Sequence, residues 1–403
     1  MNHKMQRSSI PVVLTEGFRF FFLFSSMFGL LSISAWLISL YMEDGVFSFL
    51  TPKLAMAATG WHAHEMIYGY AVGVVSGFFL TAVPNWTKTE PAKAAYIATI
   101  GMVWLAGRLV MWWSDLLPAE FVATIDLVFL PPLLVRLIIQ MRNNPQPHNL
   151  IFMGLLGLLW MSNLLCHLEW MGWADETAQT GLRVGLFTVG MMIFVLGGRV
   201  VPAFTRNALR RMEVSEDELP DTHPMANKLA LLTTGMFTFA LFFPVPESVL
   251  GILALLAAMA NAWRFSGWKG LSILGHPILW SLHLGYTMLI LAYAFYGLAL
   301  LTGVAMESAA LHILAIGAVG CMTLAIMSRA SLGHTGRPLT VRPILGVAYL
   351  LVAVSALTRA VLPGLMPDSY DLWIYLSAGL WLAAFAIFVI AYFPILTRPR
   401  LQK

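Results

Sequence analysis

Long apolar runs separated by short polar segments dominate the chain. A helix needs about 20 mainly apolar residues to cross the hydrocarbon core of a bilayer, so each run predicts one membrane-spanning helix. The sequence therefore predicts an all-α integral membrane protein of about twelve transmembrane helices. They fall near residues 18–41, 62–83, 94–113, 118–141, 150–171, 183–205, 228–243, 247–265, 276–301, 309–330, 342–363 and 370–396.

The longest polar stretch, "TRNALRRMEVSEDELPDTHPMANK", divides this pattern into two halves. It predicts a loop over 206–227 that joins helices 1–6 (about 18–205) to helices 7–12 (about 228–396). The other connections are too short to hold a soluble domain. We therefore expect residues 1–403 to form a single membrane domain.

Composition supports a membrane protein. The chain is 59% hydrophobic and 11% charged, whereas an average soluble domain is about 25% charged. Both cysteines, Cys166 and Cys321, lie inside apolar runs, which argues against a disulfide framework and favours small apolar fillers over metal ligands. The net charge of +4 is small and is explained by topology, so no nucleic-acid partner is expected.

Charge alternates along the predicted loops. If the N-terminus lies inside, only Lys53, Arg183 and Arg359 among the 24 Lys and Arg fall on the outer side, and Arg108 lies within the third span. Outer turns carry acidic residues instead. Because cytoplasmic loops are rich in Lys and Arg, this pattern predicts cytoplasmic N- and C-termini.

Four histidines share one predicted depth. His62, His64, His167 and His312 lie at the outer ends of helices two, five and ten, whereas His283 lies in helix nine near its inner end. Ionisable groups within a bilayer are costly and commonly mark functional sites. Anchoring at the membrane interface through hydrogen bonds to backbone carbonyls is the alternative for each one.

Helix geometry separates the first two histidines. Side chains at i and i+2 point about 200° apart, so His62 and His64 cannot bind one metal ion. An imidazole facing His312 across a helix gap suits a haem iron, and we expect His64 and His312 to be its axial ligands. His62, with Glu65, then belongs to a second centre or to a proton route.

Two buried charges and a glycine series have alternative interpretations. Arg108 and Asp126 lie on adjacent antiparallel helices and can form an ion pair, or Arg108 and Arg359 can meet haem propionates. Gly69, Gly73 and Gly77 recur every four residues. Such spacing leaves room for a flat porphyrin but is also typical of helix packing, which we favour.

Three sequence blocks carry a family resemblance. "WHAHEMIYGYAVGVVSGFFLTAVPNWT", "GGRVVPAFTRNAL" and "HILAIGAVGCMTLAIMSRASLGHTGRPL" resemble the signature blocks of the NnrS family, in order and along nearly the whole chain. The resemblance implies a bacterial inner-membrane protein that carries haem, with copper as a further cofactor to consider. It also implies a role in denitrifying metabolism and in resistance to nitric oxide and nitrosative stress.

A fainter likeness links the chain to haem-copper oxidases, which carry haem-ligating histidines near the outer ends of helices two and ten. The paired histidines of their seventh helix are absent here, so a complete haem-copper centre is not expected.

Three functions are compatible with these features. The first is a haem redox enzyme that consumes nitric oxide or a related nitrogen oxide with electrons from quinol, with Glu65 and Tyr68 as candidate catalytic residues. The second is a non-catalytic haem protein that binds nitric oxide or protects iron. The third is a transporter with Arg108, Asp126 and His283 along its path. The residues proposed to bind cofactor are His62, His64, His312, His283, His167, Arg108 and Arg359, with His64, His312 and His62 as the metal ligands.

Overall fold

The computed structural model describes residues 10–41, 51–145, 147–303 and 307–401. Within these residues the chain forms twelve long helices and no β-strand. The first six are α1 (Gly17–Tyr41), α2 (Ala58–Thr87), α3 (Ala94–Trp112), α4 (Ala119–Asn143), α5 (Pro147–Trp170) and α6 (Thr177–Arg211). The second six are α7 (Pro224–Ala240), α8 (Glu247–Ser266), α9 (Pro277–Thr302), α10 (Glu307–His334), α11 (Pro343–Leu365) and α12 (Tyr370–Thr397).

Eleven of these helices are long and apolar enough to cross a membrane. The exception is α7, which has 17 residues and so spans about 26 Å, slightly less than a typical hydrocarbon core. The predicted all-α, multi-span membrane fold is confirmed. The main differences lie in the helix ends. Helix α6 has 35 residues in all and ends at Arg211, inside the predicted polar loop over 206–227.

The surface of the bundle is apolar. Large side chains such as Met102, Leu232 and Ile390 are exposed, the last to 75%. Burial of such groups normally drives the folding of a soluble protein. Here lipid is the solvent that can cover them, so these side chains mark the membrane-facing surface.

The start of the first helix, α1, and the end of the last helix, α12, lie on the same face of the bundle. Arg19 at the start of α1 donates from Nη1 to the Leu396 carbonyl (3.2 Å) and the Arg398 carbonyl (2.9 Å) at the end of α12. We call this the inner face and the opposite one the outer face. Neighbouring helices pack as antiparallel pairs, among them α5 with α6, α8 with α9 and α11 with α12.

Candidate functional site

A cavity of about 440 Å³ lies between helices of both halves of the chain, towards the outer face. Its walls come from α1, α2, α6, α10, α11 and α12. Aromatic side chains form much of the surface, including Trp36, Tyr70 and Trp381. The size and the mainly apolar wall are those of a small-molecule or cofactor site.

Two imidazoles line this cavity, His62 from α2 and His312 from α10. The ring of His62 stacks on Trp36 with centroids 4.2 Å apart, and its Nδ1 is buried without a hydrogen-bond partner in the described part of the chain. His312 Nδ1 lies 2.7 Å from the Ser308 carbonyl oxygen. Since a carbonyl only accepts, Nδ1 carries the proton and the lone pair is on Nε2, the arrangement found in metal-binding histidines.

Two arginines line the same cavity near its outer end. Arg183 on α6 donates from Nη2 to Glu307 Oε2 at 2.9 Å. Arg359 on α11 lies over the Tyr370 ring at 5.8 Å and within 3.5 Å of Ser308 Oγ. Arg359 is also close enough to both imidazoles for electrostatic interaction. The wall of the cavity therefore carries two imidazole groups, and its rim carries two guanidinium groups.

Each cavity histidine lies shortly before a π-helical segment, His62 by three residues and His312 directly. In α2 this segment is Glu65–Ala71, and in α10 it is Ile313–Gly320. The wider π-helical turn shifts the register between the residues before and after it, and such segments occur frequently at functional sites. Together they set the directions from which His62 and His312 approach the cavity.

The opposite face of the α2 turn carries a buried charged cluster. Arg108 donates from Nη1 to Glu65 Oε1 (2.6 Å) and from Nη2 to Asp126 Oδ1. His167 Nε2 and Asn163 Nδ2 lie 2.9 and 2.7 Å from Asp126 Oδ2. The ion pair predicted between Arg108 and Asp126 is thus present, and Arg108 does not line the cavity.

His64 belongs to this cluster rather than to the cavity. Its Nδ1 lies 2.8 Å from Glu65 Oε1 and its Nε2 2.8 Å from Asn163 Oδ1. Both neighbours are oxygen acceptors, so the doubly protonated ring satisfies both contacts. With His64 in that form, two cations balance the carboxylates of Glu65 and Asp126, as burial of charge requires.

The spacing of His64, Asp126 and His167 would also allow a metal ion, since one ligand atom of each lies within 4.8 Å of the others. A metal does not fit the observed contacts. Both His64 nitrogens face acceptors, and the Arg108 guanidinium occupies one Asp126 oxygen. Protein groups thus already contact the ligand atoms that a metal would need, although Glu65 Oε2 and Arg108 Nε are buried without a partner in the described residues.

The structure separates His64 from His312. These two side chains do not line the same cavity: His312 lines the outer cavity, whereas His64 lies in the charged cluster. His62 and His64 lie on different faces of α2, as the i, i+2 spacing predicts, and it is His62 that lines the cavity with His312. Glu65 faces the charged cluster with His64, not a centre with His62.

The remaining candidates lie elsewhere. Tyr68 donates to the Gly181 carbonyl at 2.9 Å, next to the charged cluster. His283 contacts Thr205 Oγ1 at 2.9 Å through Nε2, in the inner half of the bundle. His283 thus lies apart from Arg108 and Asp126, which contact each other in the charged cluster. The glycines of α2 pack against α1, where Gly77 approaches Phe21 and Phe22.

Several residues of the site were not predicted from the sequence. Trp36, Trp381 and Arg183 line the cavity but come from helices whose order around it cannot be read from one sequence. Asn163 joins His64 to Asp126. In the sequence, the role of Asn163 is indicated only by its position as a polar amide within an apolar run, because polar groups within a bilayer require partners.

An apolar surface and a bundle of helices of membrane length define a polytopic membrane protein, with a histidine-lined cavity towards its outer face. Residues 12–400 match the family model described as NnrS protein. The chain therefore belongs to the NnrS family, and it is a membrane protein of the nitric oxide response. No curated protein is significantly similar to it.

Proposed function

We propose that this chain holds a haem group in the outer cavity, with His62 and His312 as its ligands, and acts as a redox protein in nitric oxide defence in the bacterial inner membrane. The observation that carries the proposal is the pair of imidazoles contributed by α2 and α10 to one apolar cavity. Imidazole is a common axial ligand of haem iron.

The hydrogen bonds of the two histidines fit this role. The Ser308 carbonyl fixes His312 in the tautomer with a free Nε2, as neighbouring carbonyls do for metal-binding histidines. His62 has a buried Nδ1 that no described protein group satisfies. Buried polar atoms are rarely left without a partner, so a bound group in the cavity explains the orphaned nitrogen.

The other lining residues suit the rest of the group. Trp36 and Trp381 offer flat apolar surfaces, and Arg359 at the rim is the cation that would meet a propionate carboxylate, whereas Arg183 pairs with Glu307. The remaining wall of the cavity is mainly apolar. Haem, when bound, supplies reversible binding of diatomic molecules and one-electron transfer.

The charged cluster favours a redox enzyme over a simple binding protein. Reduction of two nitric oxide molecules to nitrous oxide and water consumes two electrons and two protons, which one quinol provides. His64 and Glu65 are titratable groups on the face of α2 opposite to His62. They can hold or pass a proton near the cavity, a common role of ionisable groups within membranes. Copper forms no part of this proposal.

The test is a visible spectrum of the purified protein followed by a turnover assay with a reduced quinol analogue and nitric oxide. We expect a Soret band and nitric-oxide-dependent quinol oxidation. A Soret band without turnover would favour the non-catalytic haem protein. Purification without a Soret band from cells supplied with haem precursors would overturn the proposal and favour a transporter.

A further inference from the structure

A second cavity, of about 410 Å³, lies towards the inner face between α6, α7 and α8. It is separate from the outer cavity and shares no lining residue with it. Arg199, Arg206 and Arg264 line it, and its described lining contains no Asp or Glu. Three guanidinium groups around one space create a strongly positive potential.

Arg264 is the most informative of the three because it is only 7% exposed. Its Nη2 donates to the Phe194 carbonyl and to Asn261 Oδ1, both at 2.8 Å, and also contacts the Tyr286 hydroxyl. All three are neutral acceptors. Its Nε is buried with no partner in the described chain.

The compensation for this buried charge is therefore incomplete. Arg264 lies in the last turn of α8, where the helix dipole favours a cation, but the dipole supplies only partial charge. No described carboxylate forms an ion pair with it. A buried cation without an anion is strongly unfavourable, so the arrangement calls for an anion from outside the chain.

Arg206 lies at the polar edge of the same cavity, where it donates to the Pro220 carbonyl. One acidic residue near it, Glu216, forms two hydrogen bonds with Arg210, each 2.9 Å long. That carboxylate is already committed to an exposed pair. Arg206 therefore remains available to a ligand that also reaches Arg264.

Glycine at position 198 makes this geometry possible. A Cβ there would collide with the Arg264 guanidinium, so the absence of a side chain admits the arginine to the cavity wall. Thr222 and Asn227 add short polar groups, while Val195 and Leu231 supply an apolar side. The guanidinium group of arginine can donate two parallel hydrogen bonds to the oxygens of a phosphate. Basic pockets between membrane helices on the cytoplasmic side bind lipid headgroups.

We infer that this inner cavity is a binding site for a phosphate-type oxyanion, with Arg264 and Arg206 as its principal ligands. The group is either the headgroup of an anionic phospholipid or a soluble phosphate. The inference does not depend on haem in the outer cavity.

The test measures thermal unfolding of the delipidated, detergent-solubilised full chain by tryptophan fluorescence at constant ionic strength. One arm titrates inorganic phosphate, and the other titrates short-chain phosphatidylglycerol with short-chain phosphatidylcholine as its zwitterionic control. We expect a saturable rise of the midpoint in the wild type. Loss of one charged hydrogen-bonding group weakens binding about tenfold or more, so Arg264→Gln and Arg206→Gln should shift the titration by at least that factor.

Arg211→Gln is the matched control, since Arg211 is an exposed arginine at the end of α6 outside the cavity. It should respond like the wild type. A response to phosphate identifies a soluble ligand, and a response to phosphatidylglycerol alone identifies a headgroup. If Arg264→Gln does not fold, Arg206→Gln decides. No saturable shift in either arm, or equal shifts in wild type and cavity variants, would overturn the inference.

Discussion

At the scale of single residues, Arg108 connects the charged cluster. Its guanidinium contacts both Glu65 and Asp126, and Asp126 in turn contacts His167. Removing one partner from a buried ion pair leaves an uncompensated charge, which costs more than the pair itself contributes. The cluster therefore fixes how α2, α3, α4 and α5 meet.

Replacing this guanidinium by a neutral side chain should be strongly destabilising. We expect Arg108→Met to lower the free energy of unfolding by about 3–5 kcal/mol. In the double variant Arg108→Met/Asp126→Asn the loss should be smaller than the sum of the single losses, because one stranded carboxylate is also removed. Unfolding in mixed micelles measures both.

Arg210→Gln provides the control, since its pair with Glu216 is solvent-exposed. Exposed pairs contribute little, so no measurable loss is expected. Equal stability of Arg108→Met and the wild type would contradict the role given to the cluster.

Residue identities allowed part of this site to be predicted. An ion pair between Arg108 and Asp126 was one of two interpretations, because they lie on adjacent antiparallel helices, and this pair is present. The expectation that placed His64 rather than His62 beside His312 could not be derived in this way, since it depends on which face of α2 turns towards α10. That rotation is decided by packing against α1 and α3, which a single sequence does not reveal.

At the scale of helices, the glycines of α2 form the contact with α1. A Cβ on Gly77 would lie 2.8 Å from Phe21 Cβ and 3.2 Å from Phe22 Cδ1. Small residues allow membrane helices to approach closely. The interpretation of this series as a packing face, rather than room for a porphyrin, agrees with that contact.

The contact predicts opposite effects for one substitution at two glycines. Gly77→Ala should lower the free energy of unfolding by about 1–3 kcal/mol, because the new methyl group overpacks the α1–α2 contact. Gly157→Ala, where a Cβ would meet nothing within 4 Å, should raise it by about 0.5–1 kcal/mol through reduced backbone entropy. The two variants are compared by unfolding in the same detergent, and a Gly77→Ala protein as stable as Gly157→Ala would contradict the packing.

The π-helical segments are the feature of the helices that apolar periodicity could not predict. Glu65–Ala71 and Ile313–Gly320 lie inside uninterrupted apolar helices and contain no proline. A run of that kind predicts a regular α-helix. Only tertiary contacts, such as those at the cavity, favour the wider turn.

At the scale of the whole molecule, the positions of Lys and Arg predict which face lies inside the cell. Reporter fusions at residues 115 and 175 should be active outside, and fusions near 215 and 335 inside. Alkaline phosphatase and a cytoplasmic fluorescent reporter provide complementary readouts at each position. One reproducible inversion among these positions would contradict the predicted topology.

The number of helices and the membrane class followed from the sequence because each depends on local apolar length. The arrangement of six helices around one cavity did not, because it depends on contacts between residues far apart in the chain. Trp36, His62, His312 and Trp381 illustrate this, since only folding brings them together.

The most direct test of the account is the haem content per folded protein in histidine variants. His62→Ala and His312→Ala should each lose most of the haem, whereas His283→Ala, whose imidazole lies in the inner half, should retain it. His64→Gln should also retain haem, since His64 contacts the charged cluster. Full retention in folded His62→Ala and His312→Ala proteins, or loss confined to His64→Gln, would contradict the central claim.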